Sequence, residues 1–350
     1  MFTKSKFILN LNLNLVSNLY FMMDSLIREF PGQLREAIKI AEAAKIKKHK
    51  KDIHHVLVCG LGGSGIGGTF VKELIEKESN IPVLVNKGYN LPGYVGENTL
   101  AIFSSYSGNT EETLIAFEKA LTTKAKIVCI SSGGKLVEIA KERGLDYIQL
   151  PSGKPSPRAC MGYSIVQQLY ILNKLNIISD DLINTIPTAA DLLADEQGDI
   201  MVQALEMANH LNGKIPIIYT TEGMEAPAVR LRQQINENSK MLCWHHVIPE
   251  MNHNELVGWC EKNEQLVILY LRNKSDLERN QIRIGINQDI IKKYAAIHEV
   301  FSKGNSKFEQ MMYHVHFGDW LSWYLSELRE GVDAVEIEVI NYLKGELAKH

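Results

Sequence analysis

Cysteine is scarce in this chain, with five in 350 residues: Cys59, Cys129, Cys160, Cys243 and Cys260. The count is odd and no two stand as C-x-x-C, which argues against a disulfide framework and a structural zinc site. Free thiols fit a reducing cytoplasm, the compartment expected here. Charge of one sign is lacking too. The formal net charge is −3, so neither nucleic acid nor an acidic membrane is expected as a partner. No internal repeat occurs. A long apolar run is also missing. The leading segment "MFTKSKFILNLNLNLVSNLYFMMDSLIREF" loosely has the look of a signal peptide, but Asn10, Asn12, Asn14 and Asn18 break it and no small-x-small cleavage site follows. It is too short and too polar to span a bilayer. The expectation is that residues 1–22 are an upstream extension and that translation starts at Met22 or Met23.

What is present is ordinary soluble-protein material, 45% hydrophobic and 23% charged, long enough for two domains. Residues 24–50 read as helix from the spacing of Leu34, Ala37, Ile38, Ala41 and Ala44. Strand and helix patterns then alternate. "HVLVCGL", "IPVLVNK", "TLAIFSSYS", "AKIVCISS" and "DYIQL" read as strands, with helices between them. That order predicts an α/β fold: a mainly parallel sheet flanked by helices. "PSGKPSPRACMGYS", with three of the ten prolines, reads as a connector, followed by a helix over about 164–175. A second α/β unit starts near Lys214, with strands at "KIPIIYTT", "QLVILYLR" and "AIHEVFS". A long aromatic helix and a short final helix close the chain. The expected division is 23–155 for the first domain, 156–200 for a helical crossing and 201–350 for the second.

Residues 56–68, "VLVCGLGGSGIGG", place Gly60, Gly62 and Gly65 in the G-x-G-x-x-G spacing of a dinucleotide turn. Such a site needs an acid at the end of the next strand for the ribose. Asn86 and Lys87 stand there instead, so a nicotinamide cofactor is set aside and no cofactor is expected. No G-K-[ST] follows, which removes a nucleotide-triphosphate loop. Backbone N–H groups and the Ser64 hydroxyl remain, enough for an anion or a sugar hydroxyl. The third strand ends in "SSYSGNTEET". Ser105, Ser107 and Thr110 offer three hydroxyls ahead of a helix start, and Gly108 lets the backbone approach. A helix cap needs one hydroxyl; three in six positions predict a phosphate cradle.

These segments resemble a known family. "SYSGNTEET" is similar to the phosphate-binding signature of sugar isomerase (SIS) domains. With "GLGGSGIGG", "PSPRA", "LRQQINENSK" and "MNHNELVGW" in that order, the chain resembles the bifunctional phosphoglucose/phosphomannose isomerases from Met23 to its end. The resemblance implies two SIS domains and an aldose–ketose isomerase that interconverts glucose 6-phosphate and mannose 6-phosphate with fructose 6-phosphate, through a cis-enediolate and without metal. It implies that Ser105, Ser107 and Thr110 hold the phosphate and that Gly62, Gly63 and Ser64 face the sugar. Glu237 would be the base, Arg158 the arginine beside it and His253 the ring-opening histidine, reaching the site across a homodimer interface. Lys344 matches the lysine of the final helix, with Lys349 a nearby alternative.

Chemistry gives the same residues plausible work. A carboxylate shielded from water can abstract a proton next to a carbonyl, a fixed guanidinium can stabilise an enediolate oxygen, and histidine can move a proton near neutrality. Taken singly, Glu237 reads as a surface glutamate of a helix and His253 as a structural histidine. The resemblance gives them their roles. His54, His55, His245, His246, His314 and His316 are read as structural, with no metal site, and Trp320, Trp323 and Tyr324 as core or dimer contact. A non-catalytic SIS sensor and an amino-sugar phosphate isomerase are the alternatives.

Overall fold

The computed structural model describes residues 22–350; apart from Met22, the expected leading extension lies outside the described residues. The chain opens with two helices, α1 (Met22–Arg28) and α2 (Phe30–Ala43), where one helix over 24–50 is expected from periodicity. The second stops at Ala43, with Ala44 its extended C-cap residue. The basic stretch 45–51 would set like charges three and four apart on a helix.

The first sheet contains β1 (His55–Cys59), β2 (Val83–Asn86), β3 (Thr99–Ser104), β4 (Lys126–Ser131) and β5 (Asp146–Gln149), in the order β2-β1-β3-β4-β5. Every pairing is parallel, with Val58 opposite Ile102 and Ile102 opposite Val128. Helices α3 (Gly62–Ile75), α4 (Glu111–Ala120) and α5 (Gly134–Glu142) are the crossovers. Burial on both faces of β1, β3 and β4 explains why these three read as continuous apolar runs. Val56, Val58 and Ile102 pack into one core cluster, and Leu57, Ala101 and Phe103 into another.

A 3-10 turn, Pro157–Cys160, leads into α6 (Met161–Lys174), three residues earlier than its sequence pattern predicts. The crossing then continues as α7 (Asp180–Leu211), a helix of 32 residues. The second sheet is also parallel, in the order β7-β6-β8-β9, from β6 (Ile215–Thr221), β7 (Trp244–Ile248), β8 (Leu266–Arg272) and β9 (Ala296–Phe301). Between them run α8 (Glu225–Ser239) and α9 (Glu278–Ile291). Periodicity does not reveal α9: Ile284 and Ile291 are buried but Ile282 and Ile286 face solvent, so no single apolar stripe stands out. Helix α10 (Lys307–Glu327), started by a Ser306/Glu309 capping box, lies along α7 and α8 and is buried almost all round. That burial encloses both His314 and His316 despite their i, i+2 spacing. It pushes the first imidazole down to about 4 and the second to about 3, so both are neutral at pH 7.

The last helix, α11 (Glu338–Leu347), buries no residue; Val339, Tyr342 and Leu343 are exposed. Among the described residues no helix is long and apolar enough to cross a membrane. All five thiols are free.

Candidate active site

The first sheet reverses its strand order between β1 and β3, and ligands of open α/β sheets bind outside the carboxyl ends of strands at such a point. The glycine turn leaves β1 and the hydroxyl turn leaves β3, so topology brings them together. The Tyr106 N–H donates to Ser64 Oγ at 3.2 Å, tying one turn to the other. Within the hydroxyl turn, Ser105 Oγ and Thr110 Oγ1 are 2.9 Å apart. The Gly108 N–H donates to Ser105 Oγ at 3.1 Å and the Asn109 N–H to Ser107 Oγ at 3.2 Å. Ser105 is buried while Ser107 is exposed. Thr110 is the N-cap residue of α4, and its side chain makes no capping bond. The hydroxyl is therefore committed to the cluster, not to the helix.

Gly108 has φ +71°, and a Cβ there would stand 1.8 Å from the Gly133 carbonyl oxygen. Only glycine fits. The β4–α5 loop thus seats directly on the cradle.

Arg158 enters from the 3-10 turn. A Cβ on Gly63 would approach its Cα to 3.2 Å, so the glycine turn and the arginine turn pack backbone to backbone. The guanidinium is buried. Its Nε donates to Asn238 Oδ1 at 2.8 Å, and Nη2 donates to the carbonyls of Ala334 and of Val335, the latter at 3.3 Å. Nη1 lies 3.6 Å from Glu237 Oε2, a carboxylate that remains 29% exposed. Burial lowers the Arg158 pKa, and the Glu237 carboxylate opposes that fall.

Glu237 stands in the last turn of α8. Beyond it, Lys240 closes the helix in the left-handed conformation, φ +52°. Its Nζ donates to the carbonyls of Glu237, Asp333 and Glu336 at 2.6, 2.6 and 2.8 Å. Lys240 therefore holds the 333–336 segment whose carbonyls receive Arg158. From the other side, Asn238 Nδ2 donates to Ser322 Oγ at 2.9 Å on α10. Arg230 and Asp319 form a two-bond buried pair, at 3.1 and 3.0 Å, between the same helices. Asn238, Lys240 and Ser322 carry this geometry, and sequence reasoning missed them. Asn238 and Lys240 stand in the quoted "INENSK", where the polar run masks their separate contacts.

The structure thus gathers Gly62, Gly63, Ser64, Ser105, Ser107 and Thr110 at one switch point, and pairs Arg158 with Glu237. It does not bring His253 or Lys344 to them within one chain. His253 is exposed at the end of a 3-10 turn, Glu250–His253, beyond β7. The next residues are tied inward, with Tyr219 Oη and Trp244 Nε1 donating to Glu255 Oε1 and Trp259 Nε1 donating to Tyr219 Oη. Lys344 lies on α11, and neither it nor Lys349 bonds to Arg158 or Glu237. Among the described residues no three His, Cys, Asp or Glu groups gather as a metal site.

Two parallel sheets with a hydroxyl cradle at the first switch point define a double SIS-domain protein. Residues 51–171 match the SIS domain, and residues 201–347 match the bacterial phospho-glucose isomerase C-terminal SIS domain. Over 335 residues the chain is 37% identical to a bifunctional phosphoglucose/phosphomannose isomerase of Caldicellulosiruptor bescii, covering 92% of this chain and 98% of that one. The Aquifex aeolicus protein of the same name is 37% identical over 84% of this chain and 91% of its own. The chain belongs to the bifunctional phosphoglucose/phosphomannose isomerase family. A D-glucosamine-6-phosphate 4-epimerase of Sulfolobus acidocaldarius is 32% identical over 69% of this chain and 72% of its own. At the level of fold, the C-terminal domain of glucosamine-fructose-6-phosphate aminotransferase from Francisella tularensis superposes with a TM-score of 0.72 at 15% identity, over 89% of this chain and 97% of that one. Tagatose-6-phosphate ketose/aldose isomerase from Escherichia coli gives 0.65 at 13%, over 90% and 95%.

Proposed function

We propose that this protein is a cytoplasmic aldose–ketose isomerase that interconverts glucose 6-phosphate and mannose 6-phosphate with fructose 6-phosphate, without metal. The observation that carries the reading is the Glu237–Arg158 pair, set beside the glycine turn whose partner is the hydroxyl cradle. The cradle grips the phosphate, far from the reacting carbons, and that remote grip orients the sugar. Glu237 takes the proton from C2 of the open-chain aldose and returns it to C1. Arg158, held by Asn238 and two backbone carbonyls, keeps its charge facing the enediolate oxygen and needs no reorganisation as charge develops.

Ring opening falls to His253 of the partner subunit in a homodimer. What supports this is the exposure of His253, followed four residues on by Val257, which is 85% exposed. Lys344 is assigned to the same site; the exposed apolar side of α11 favours its delivery within the dimer.

A coupled assay with each sugar phosphate, run with EDTA, tests the reading. Fructose 6-phosphate should form from both at rates that EDTA leaves unchanged. No product from either rejects the isomerase, and inhibition by EDTA rejects the metal-free route. Supplying D-glucosamine 6-phosphate separately tests the amino-sugar alternative, which the epimerase relative makes specific.

A further inference from the structure

We propose that the crevice at the carboxyl end of the second sheet is a second binding site, for a small neutral polyhydroxylated ligand. The order β7-β6-β8-β9 repeats β2-β1-β3-β4, so the second sheet has its own switch point, between β6 and β8. A cavity of about 560 Å3 opens there, within the usual range for small-molecule sites. It is lined by the loops after β6, β8 and β9, the counterparts of the three loops that build the first cradle, and by the end of α3.

The chemistry differs from that of the first site. In place of three hydroxyls, the loop after β8 reads Asn273-Lys274-Ser275-Asp276. Its one hydroxyl, Ser275, already donates to Gln310 at 2.9 Å. Asp276 is spent on the loop itself, accepting from Thr221 Oγ1, the Asn273 N–H and Asn273 Nδ2 at 3.0, 3.0 and 3.1 Å. Its Oδ2 also lies 3.8 Å from Arg272 Nε, so the loop ahead of α9 carries a buried ion pair and no cation turned to a phosphate dianion. Around it the wall is balanced: Glu76 and Glu222 stand against Lys77 and Lys307. Asn280 is 3% exposed and faces the cavity. Its Nδ2 makes only a 3.5 Å contact to Glu222 Oε1, and its Oδ1 accepts nothing from the described residues. A buried amide left open toward a cavity is a hydrogen-bonding group kept for a ligand or water. Amides with paired opposite charges suit vicinal hydroxyls, which donate to carboxylates and accept from ammonium groups.

The test is calorimetric titration with D-glucose, sorbitol and inorganic phosphate. A Ser105→Ala/Thr110→Val protein, with the first cradle disabled, should still bind one of the two polyols at millimolar Kd and ignore phosphate. Glu222→Leu and Asn305→Leu, at two exposed positions of the cavity wall, should each weaken that binding at least about tenfold and leave isomerisation unchanged. The proposal is overturned by the absence of saturable polyol binding at concentrations on the order of tens of millimolar. Polyol binding lost with the first cradle, or indifferent to both substitutions, also overturns it. Competition by phosphate overturns the neutral class. None of these outcomes depends on the isomerase reading.

Discussion

Arg158 Nε donates to Asn238 Oδ1 at 2.8 Å, and Asn238 is the residue next to Glu237 on the same helical turn. The guanidinium and the carboxylate it faces are therefore set by one short piece of backbone. Arg158→Lys loses this bond, and one ammonium cannot also reach the Ala334 and Val335 carbonyls. The expected result is a fall in kcat of about 100-fold with KM within about threefold, measured by steady-state kinetics on both sugar phosphates. A loss confined to KM would place Arg158 in ground-state binding instead.

The hydroxyl turn separates grip from scaffold. Thr110→Val keeps the shape and removes one hydroxyl from the Ser105 pair; KM should rise about 5- to 30-fold, roughly 1–2 kcal/mol, with unfolding midpoints unchanged. Gly108→Ala does the reverse. It forces a Cβ toward the Gly133 carbonyl at a positive φ and should cost about 3 kcal/mol or more of stability in denaturant titrations.

If the site is shared between subunits, two dead proteins should rescue each other. Glu237→Gln and His253→Ala should each be inactive and folded. After mixing under conditions that exchange subunits, about one quarter of the wild-type sites are restored, because half the dimers are mixed and each holds one intact site. No recovery from a mixture shown to exchange would return His253 to its own chain or remove it from the reaction.

Glu73 gives a pH dependence. It is buried on α3, its Oε1 accepts the Ala226 N–H at 3.0 Å at the start of α8, and its Oε2 has no partner among the described residues. Burial raises its pKa to about 7, against the opposing effects of that N–H, Lys307 and Lys72, while Glu225 adds to the rise. A carboxyl that binds its proton more tightly when folded contributes full stability below its ordinary range near 4.3. That contribution is lost as pH rises to about 7, amounting to about 4 kcal/mol at most. Glu73→Gln mimics the protonated acid. Its Tm should match wild type near pH 4 and exceed it increasingly from pH 5 to pH 8; a constant difference across that range would contradict the buried charge.

Sheet, crossovers and the hydroxyl turn were legible because each rests on local pattern. Continuous apolar strands, a turn that needs glycine and hydroxyls ahead of a helix all lie within a few adjacent residues. The frame around Arg158 was not. Its partners come from Asn238 on α8 and from carbonyls at 334 and 335, a separation of about 180 residues at most, and a backbone carbonyl has no sequence signature. Helix α9 was hidden by isoleucines on both faces. Lys240 at a positive φ is opaque for the same reason: a lysine after a helix announces nothing until its three carbonyl partners are in place.

The interlock between Gly108 and the Gly133 carbonyl has a consequence for engineering. The cradle's shape resides in main chain, and the hydroxyls decorate it. A library that varies Ser107 and Thr110 while keeping both glycines would probe the proposed phosphate grip on a constant frame, so failed variants would report on recognition and not on folding.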